Sequence, residues 1–167
     1  MRGYYLGIDV GTTLITAVLT DENWHIVAKA SKAHRTYYPN PGWVEQDPVE
    51  LYENCLAATA EALSHIPGAT AQDILSLGLD HQGETCLIWN MDSGVPIYNA
   101  IVWQDRRTAD EADKLKKERG SAIQQIAGML PDAYHSATKI NWLLDHVEGA
   151  RARAENGELL AGTLNTW

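Results

Sequence analysis

The sequence predicts an α/β domain on a mixed sheet: a three-strand antiparallel meander extended by a parallel strand, with helices on its flanks. Three observations predict it. The first thirty residues hold three apolar runs in succession, the first two separated only by Gly11-Thr12-Thr13. A strongly capped helix pattern begins at Asp47-Pro48. An unbroken apolar run follows, Ile74-Leu75-Ser76-Leu77-Gly78-Leu79-Asp80, of the kind buried on both faces of a parallel sheet. Strand, strand, strand, helix, strand, helix is an α/β order.

Taken in turn, residues 4–10 and 14–20 read as two strands of a hairpin turning on Gly11. Residues 24–30 alternate loosely and predict the third strand. Residues 35–48 hold three prolines and a glycine and predict a loop. Asp47 offers an N-cap carboxylate and Pro48 suits a first helical position, so a helix runs to about Ser64, with Val49, Tyr52, Leu56, Ala60 and Leu63 as its apolar face. Pro67-Gly68 stops it, and the run 74–80 is the fourth strand. Cys86-Leu87-Ile88-Trp89 and residues 97–103 predict a hairpin around Asp92-Ser93-Gly94. A charged helix then ends near Gly120, with a shorter one over 121–127. Residues 137–147 predict a helix with Ile140, Leu143, Leu144 and Val147 inward, and Leu159-Leu160-Ala161-Gly162 a last strand.

At 167 residues and 45% hydrophobic, the chain can bury the core of one ordinary domain. No run approaches the ~20 apolar residues of a membrane helix, and the N-terminus lacks a signal-peptide layout. Cys55 and Cys86 sit in patterned segments without a CxxC partner, which fits buried thiols of a reducing, cytoplasmic compartment. A net charge of −9 argues against non-specific nucleic-acid binding, which needs a positive surface, but not against a nucleotide that arrives with Mg²⁺.

The first hairpin is where chemistry is most legible. Asp9 ends its first strand, and Gly11, Thr12 and Thr13 bring backbone amides and two hydroxyls. A glycine with positive φ lets successive N–H groups face one concavity, which suits a phosphate. A carboxylate beside it suits Mg²⁺, which prefers oxygen ligands and keeps waters. An ordinary hairpin with threonines as strand formers explains the same residues. The lack of a following Lys excludes a P-loop.

Three further segments carry a resemblance: Gly42-Trp43-Val44-Glu45-Gln46-Asp47-Pro48, residues 98–108 (Tyr-Asn-Ala-Ile-Val-Trp-Gln-Asp-Arg-Arg-Thr), and residues 134–146 with Ser136, Lys139 and Trp142 at signature spacing. With the hairpin, they resemble the FGGY carbohydrate kinases, the glycerol kinases above all, in order from residue 5 to residue 167. The resemblance implies a ribonuclease-H-like (actin-like ATPase) fold. Residues 1–167 would be the N-terminal part of the first kinase lobe, with the rest of that lobe and the C-terminal nucleotide lobe absent. It implies an ATP-dependent transfer of the γ-phosphate to a polyol or sugar hydroxyl, and oligomers for full-length relatives.

Carried over residue by residue, the resemblance implies that Gly11, Thr12 and Thr13 approach the ATP phosphates and Asp9 serves Mg²⁺. Glu84 would accept from a substrate hydroxyl, Trp103 would wall the carbon chain, and Tyr134 would do either. Gln82 and Gly83 share the substrate loop. Taken singly, a Glu after a strand is usually solvated, a Trp ending a strand is usually core, and a Tyr before a helix often caps it. Arg106, Arg107 and Lys139 are read as salt-bridge and surface residues rather than phosphate clamps. The general-base Asp would lie beyond residue 167, so the 167-residue chain alone would be inactive.

Two departures stand out. The family's Asn-Gln-Arg-Glu-Thr is here His81-Gln82-Gly83-Glu84-Thr85, so a charged donor to the substrate is missing. That loss costs about 1.5–3 kcal/mol and opens room for a larger polyol or ketose, or for a substrate with its own charge. Thr16 stands where glycerol kinases usually place an Arg near the nucleotide phosphates. A non-catalytic polyol-binding or regulatory pseudokinase is the alternative.

Overall fold

The computed structural model describes residues 3–167. The element order is β1 (Tyr4–Val10), β2 (Leu14–Thr20), β3 (Ile26–Ala33), β4 (Glu45–Gln46), α1 (Pro48–Ser64), β5 (Ile74–His81), β6 (Cys86–Asn90), β7 (Ala100–Ile101), α2 (Ala109–Ala127), α3 (Ser136–His146), α4 (Ala150–Glu155) and β8 (Leu159–Thr163). The chain forms two compact units. One comprises the chain up to Arg35 with Asp47–Gln82, the other Thr36–Gln46 with Gly83–Trp167.

The first unit holds the predicted mixed sheet, in the order β3-β2-β1-β5. β1 pairs antiparallel with β2 and β2 with β3, and β5 adds parallel to β1 with Asp9 beside Asp80. Period-two alternation buries Leu6, Ile8 and Val10 and leaves Asp9 on the open face. Helix α1 covers the buried face over β2 and β3. Its start is as predicted: Asp47 accepts from the Val49 amide at 2.9 Å, and Pro48 fills the first position.

Three expectations for this unit need correcting. The buried stripe of α1 is Leu51, Ala58 and Ala62, while Val49, Tyr52 and Leu56 are exposed. Small alanines let the helix seat closely on the sheet, and the bulky residues are turned a third of the way round. Strand β5 is exposed rather than buried on both faces, with Leu77 57% exposed, because it lies at the sheet edge and α1 covers the other strands. The third strand begins at Ile26, not at residue 24. Trp24 takes a left-handed φ of 66° in a turn closed on Asp21 and stacks on Tyr5 at 4.7 Å.

The second unit is an antiparallel sheet, β4-β7-β6-β8, flanked by α3. Alternation along β6 sends Leu87 and Trp89 to one cluster with Ala100, Leu164 and Trp167, and Ile88 to another with Ile101 and Leu143. Ile140, Leu144 and Val147 pack on the second cluster, which is the inward face expected of this helix.

The stretch read as loop before α1 contains structure. Tyr37 and Glu45 exchange backbone hydrogen bonds of 2.8 and 2.9 Å, and Glu45 and Gln46 pair with β7; the first two prolines stand between the paired residues. The strand expected over 97–103 shrinks to β7, which lies between β4 and β6 and pairs antiparallel with both. Helix α2 runs unbroken through Gly120, which is buried where a Cβ would stand 3.3 Å from Leu130. The helix ends instead at Gly128, left-handed at φ 74°. Helix α4 was not expected from the sequence.

Candidate functional site

The hairpin turn is closed by the Gly11 amide donating to the Leu14 carbonyl at 3.1 Å. Gly11 does not adopt the positive φ expected of it. Its requirement for glycine is close approach: a Cβ would lie 2.9 Å from the Leu14 carbonyl and 3.7 to 3.8 Å from the Asp9 carboxylate oxygens. The Gly11 carbonyl faces His34 Nε2 at 3.1 Å and Gln82 Nε2 at 3.5 Å, and the Gln82 amide donates to Val10 at 3.2 Å. Gln82 therefore stands with the Gly11 hairpin of the first unit, and Gly83 begins the second. Asp9, beside Asp80 in register, is exposed, as is Thr13, while Gly11 and Thr12 are half-buried.

Gly11→Ala is expected to destabilise the chain by about 1–3 kcal/mol, since the methyl meets backbone and not a side chain that can swing away. Urea unfolding of the variant checks it.

In the second unit the structure brings Glu84, Trp103 and Tyr134 together. Glu84 reaches across to the start of α3, where its Oε2 accepts from the Ser136 amide at 2.8 Å and the Ser136 hydroxyl at 2.6 Å. A carboxylate here satisfies an N-terminal helix donor and complements the helix dipole, a role that the N-cap residue His135 leaves open. Glu84 Oε1 lies 3.7 Å from His135 Nδ1. The Trp103 and Tyr134 rings meet edge to face at 6.0 Å, and Tyr134 is 44% exposed. The Trp103 amide donates to buried Thr85 at 3.1 Å. Gly83 has open space where a Cβ would project.

Two cations, read from sequence as salt-bridge and surface residues, are buried here, and Arg107 does form the salt bridges. Lys139 is fully buried and donates to the Glu84 carbonyl at 2.7 Å and the Tyr134 carbonyl at 2.8 Å, so one ammonium ties two site residues together. Burial holds its pKa below the ordinary lysine range, partly opposed by nearby Cys86 and Glu84. The Arg107 side chain has no exposure and lies between Trp43 and Trp142, 3.9 and 4.5 Å from their ring centroids. It bonds Asp105 at 2.9 Å and Glu45 at 2.8 Å. Burial alone would lower its pKa, but the hydrogen bonds it donates to Asp105 and Glu45 outweigh it and hold the guanidinium charged. Arg106 matches expectation, in an exposed pair with Asp132 at 2.8 Å.

Sequence reasoning missed His135, the bonds of Ser136 to Glu84 and the placement of Lys139. For Lys139 a signal existed: it lies four residues before Leu143, on the inward stripe of the helix. Cys86 is buried, its thiol pushed up to about 11 by burial, while Cys55 is half-buried and both are free. Among the described residues no group of three His, Cys, Asp or Glu side chains could hold a metal, and no helix is long and apolar enough to cross a membrane.

The fold is shared with solved kinases. A Plasmodium falciparum glycerol kinase crystallised with ADP superposes with a TM-score of 0.90 at 29% identity, over 99% of this chain and 33% of that one. A Brucella ovis kinase described as a xyloylose kinase gives 0.80 at 27%, over 90% of this chain and 30% of its own. The fold is therefore that of the actin-like ATPases, ribonuclease-H-like, with a mixed sheet.

The pattern described as "FGGY family of carbohydrate kinases, N-terminal domain" matches residues 4–167. The chain belongs to the FGGY family of carbohydrate kinases, whose N-terminal domain it carries. Glycerol kinase 2 of Thermotoga maritima is 46% identical over 165 residues, and the glycerol kinase of Fusobacterium nucleatum 46% over 166. The match covers 98% of this chain and 33% of each relative, so the chain spans about a third of their length.

Proposed function

We propose that this chain is the N-terminal part of a cytoplasmic ATP-dependent polyol or sugar kinase, in which a substrate hydroxyl attacks the γ-phosphate of ATP. The observation that supports it most is the convergence of Glu84, Trp103 and Tyr134, locked by one buried lysine. An acceptor carboxylate beside two aromatic faces suits a hydroxylated carbon chain. Gln82 and Gly83 complete the loop on which Glu84 stands.

At the hairpin, Gly11, Thr12 and Thr13 would take the ATP phosphates. The exposed Asp9 carboxylate, on a residue in register with Asp80, fits a hydrated Mg²⁺. Bound there, the metal would neutralise phosphate charge during transfer. Phosphoryl transfer rests on positioning and electrostatic stabilisation from every side of the reacting group, and this chain supplies part of that set. The remaining machinery, including a general-base Asp, is proposed to lie outside these 167 residues.

The test is ADP release from Mg-ATP over glycerol, tetritols, pentuloses and hexuloses. The 167-residue chain is expected to show no turnover, and a polypeptide of the relatives' full length that begins with it is expected to turn over a polyol or ketose. Sustained turnover by the 167-residue chain would overturn the partial-site reading. Silence of the long form across the panel, with ATP bound, would favour a non-catalytic binding protein.

A further inference from the structure

Glu84 is only half committed. Its Oε2 is taken by the amide and hydroxyl of Ser136, whereas Oε1 has no hydrogen bond among the described residues. His135 Nδ1 lies 3.7 Å from Oε1, too far for a direct hydrogen bond. The two side chains keep 30% and 26% exposure, so solvent and solutes reach them. A single hydroxyl oxygen can sit about 2.8 Å from both atoms at that separation, accepting from Nδ1–H and donating to Oε1. A carboxylate only accepts, so a hydroxyl bound to Glu84 alone would leave its own lone pairs unmet within the protein. Gly83, the loop neighbour, has no side chain to supply that donor.

The imidazole is held in place for this role. Its ring meets Tyr134 edge to face at 5.2 Å, its backbone amide donates to the Asp132 carbonyl at 3.1 Å, and it is the N-cap of α3. Tyr134 in turn meets Trp103, so the pair opens beside the two aromatic faces.

We propose that His135 and Glu84 form a hydroxyl-reading pair, with His135 supplying the donor that Gly83 lacks. The ligand class is an uncharged polyol or ketose, one hydroxyl bridging Nδ1 and Oε1 and its carbon chain lying along Trp103 and Tyr134. The inference rests on the polyol reading above and adds a specificity-determining residue to it.

The experiment is a titration of the ¹⁵N-labelled 167-residue chain with glycerol, erythritol, xylitol and xylulose, following the Trp103 indole and the Glu84 and Ser136 amides. It is repeated on His135→Phe, which keeps an aromatic ring against Tyr134 but no donor, and on His135→Gln, which keeps a donor. Urea midpoints establish that all three proteins are folded. The expected result is a Kd at least tenfold weaker for His135→Phe, within a few-fold of wild type for His135→Gln, and little change in urea midpoint for either. Equal Kd values for wild type and His135→Phe would overturn the role of His135 and leave the polyol site standing. Absence of any shift in the wild-type protein, at polyol concentrations up to the molar range, would overturn the polyol site itself.

Discussion

Arg107→Ala is expected to destabilise the chain by about 3–5 kcal/mol, enough to unfold the second unit in modest urea. The reason is what would be left behind. Asp105 has no exposure and Glu45 almost none, and both direct carboxylate oxygens at the guanidinium. Removing it strands two buried anions, one of which also accepts from Tyr98 at 2.9 Å and Asn99 at 3.0 Å, the other from the Val44 amide at 2.6 Å. Those bonds fasten β4 and Val44 to the segments on either side of β7, so the damage spreads beyond the pair. Arg107→Lys is expected to recover little, because an ammonium cannot fill the flat slot between Trp43 and Trp142 or bond two carboxylates as a planar fork. Urea unfolding with Trp fluorescence measures both variants. A midpoint within experimental error of wild type for Arg107→Ala would show that the carboxylates find water, and that the cage is not what holds this unit.

Arg107 also shows where sequence reading stops. A helix cap such as Asp47-Pro48 is local, and it appeared where expected because its partners lie within two residues. The meander and its parallel fourth strand were legible for the same reason, through period-two alternation and an apolar run. Partners 62 residues apart, such as Arg107 and Glu45, leave no local trace, so the salt bridging of this arginine was legible but its complete burial was not. The helix α1 failed differently. Its periodicity was real, but a closely packed sheet selects the alanine stripe over the bulkier one, and hydrophobicity alone points to the wrong face. Strand β5 reads as a doubly buried strand and stands at an edge, since composition tells what a strand can bury and not what covers it. In the candidate site, Glu84, Trp103 and Tyr134 entered through resemblance. What ties Glu84 to Tyr134 is Lys139, whose role depends on two carbonyls rather than on any side-chain partner.

Lys139→Met is the second large effect expected, at about 2–4 kcal/mol of destabilisation. Methionine fills similar volume, so the cost is not a cavity. It is the loss of the donor to the Glu84 and Tyr134 carbonyls, which are left without it in the interior. Part of that cost is offset because the wild-type protein must desolvate an ammonium. The sign of the pH dependence follows. Burial lowers the Lys139 pKa in the folded state from the ordinary 10.5, so below that value the unfolded chain binds the proton more tightly than the folded one. Stability attributable to Lys139 therefore rises as pH climbs toward 10.5, and the gap between wild type and Lys139→Met is expected to widen from pH 7 to pH 10. The Cys86 thiol also titrates on this side, near 11, and because Lys139 holds it down, the variant moves it further up, which widens the gap in the same direction. Paired urea curves at the two pH values test the sign, and a gap that narrows would mean the lysine is held charged by a neighbour stronger than its desolvation. The same variant separates packing from positioning. If Lys139 sets the spacing of Glu84 and Tyr134, the folded variant, held well below its urea midpoint, should bind xylitol more than tenfold more weakly. If it only stabilises, binding to the folded fraction should be unchanged.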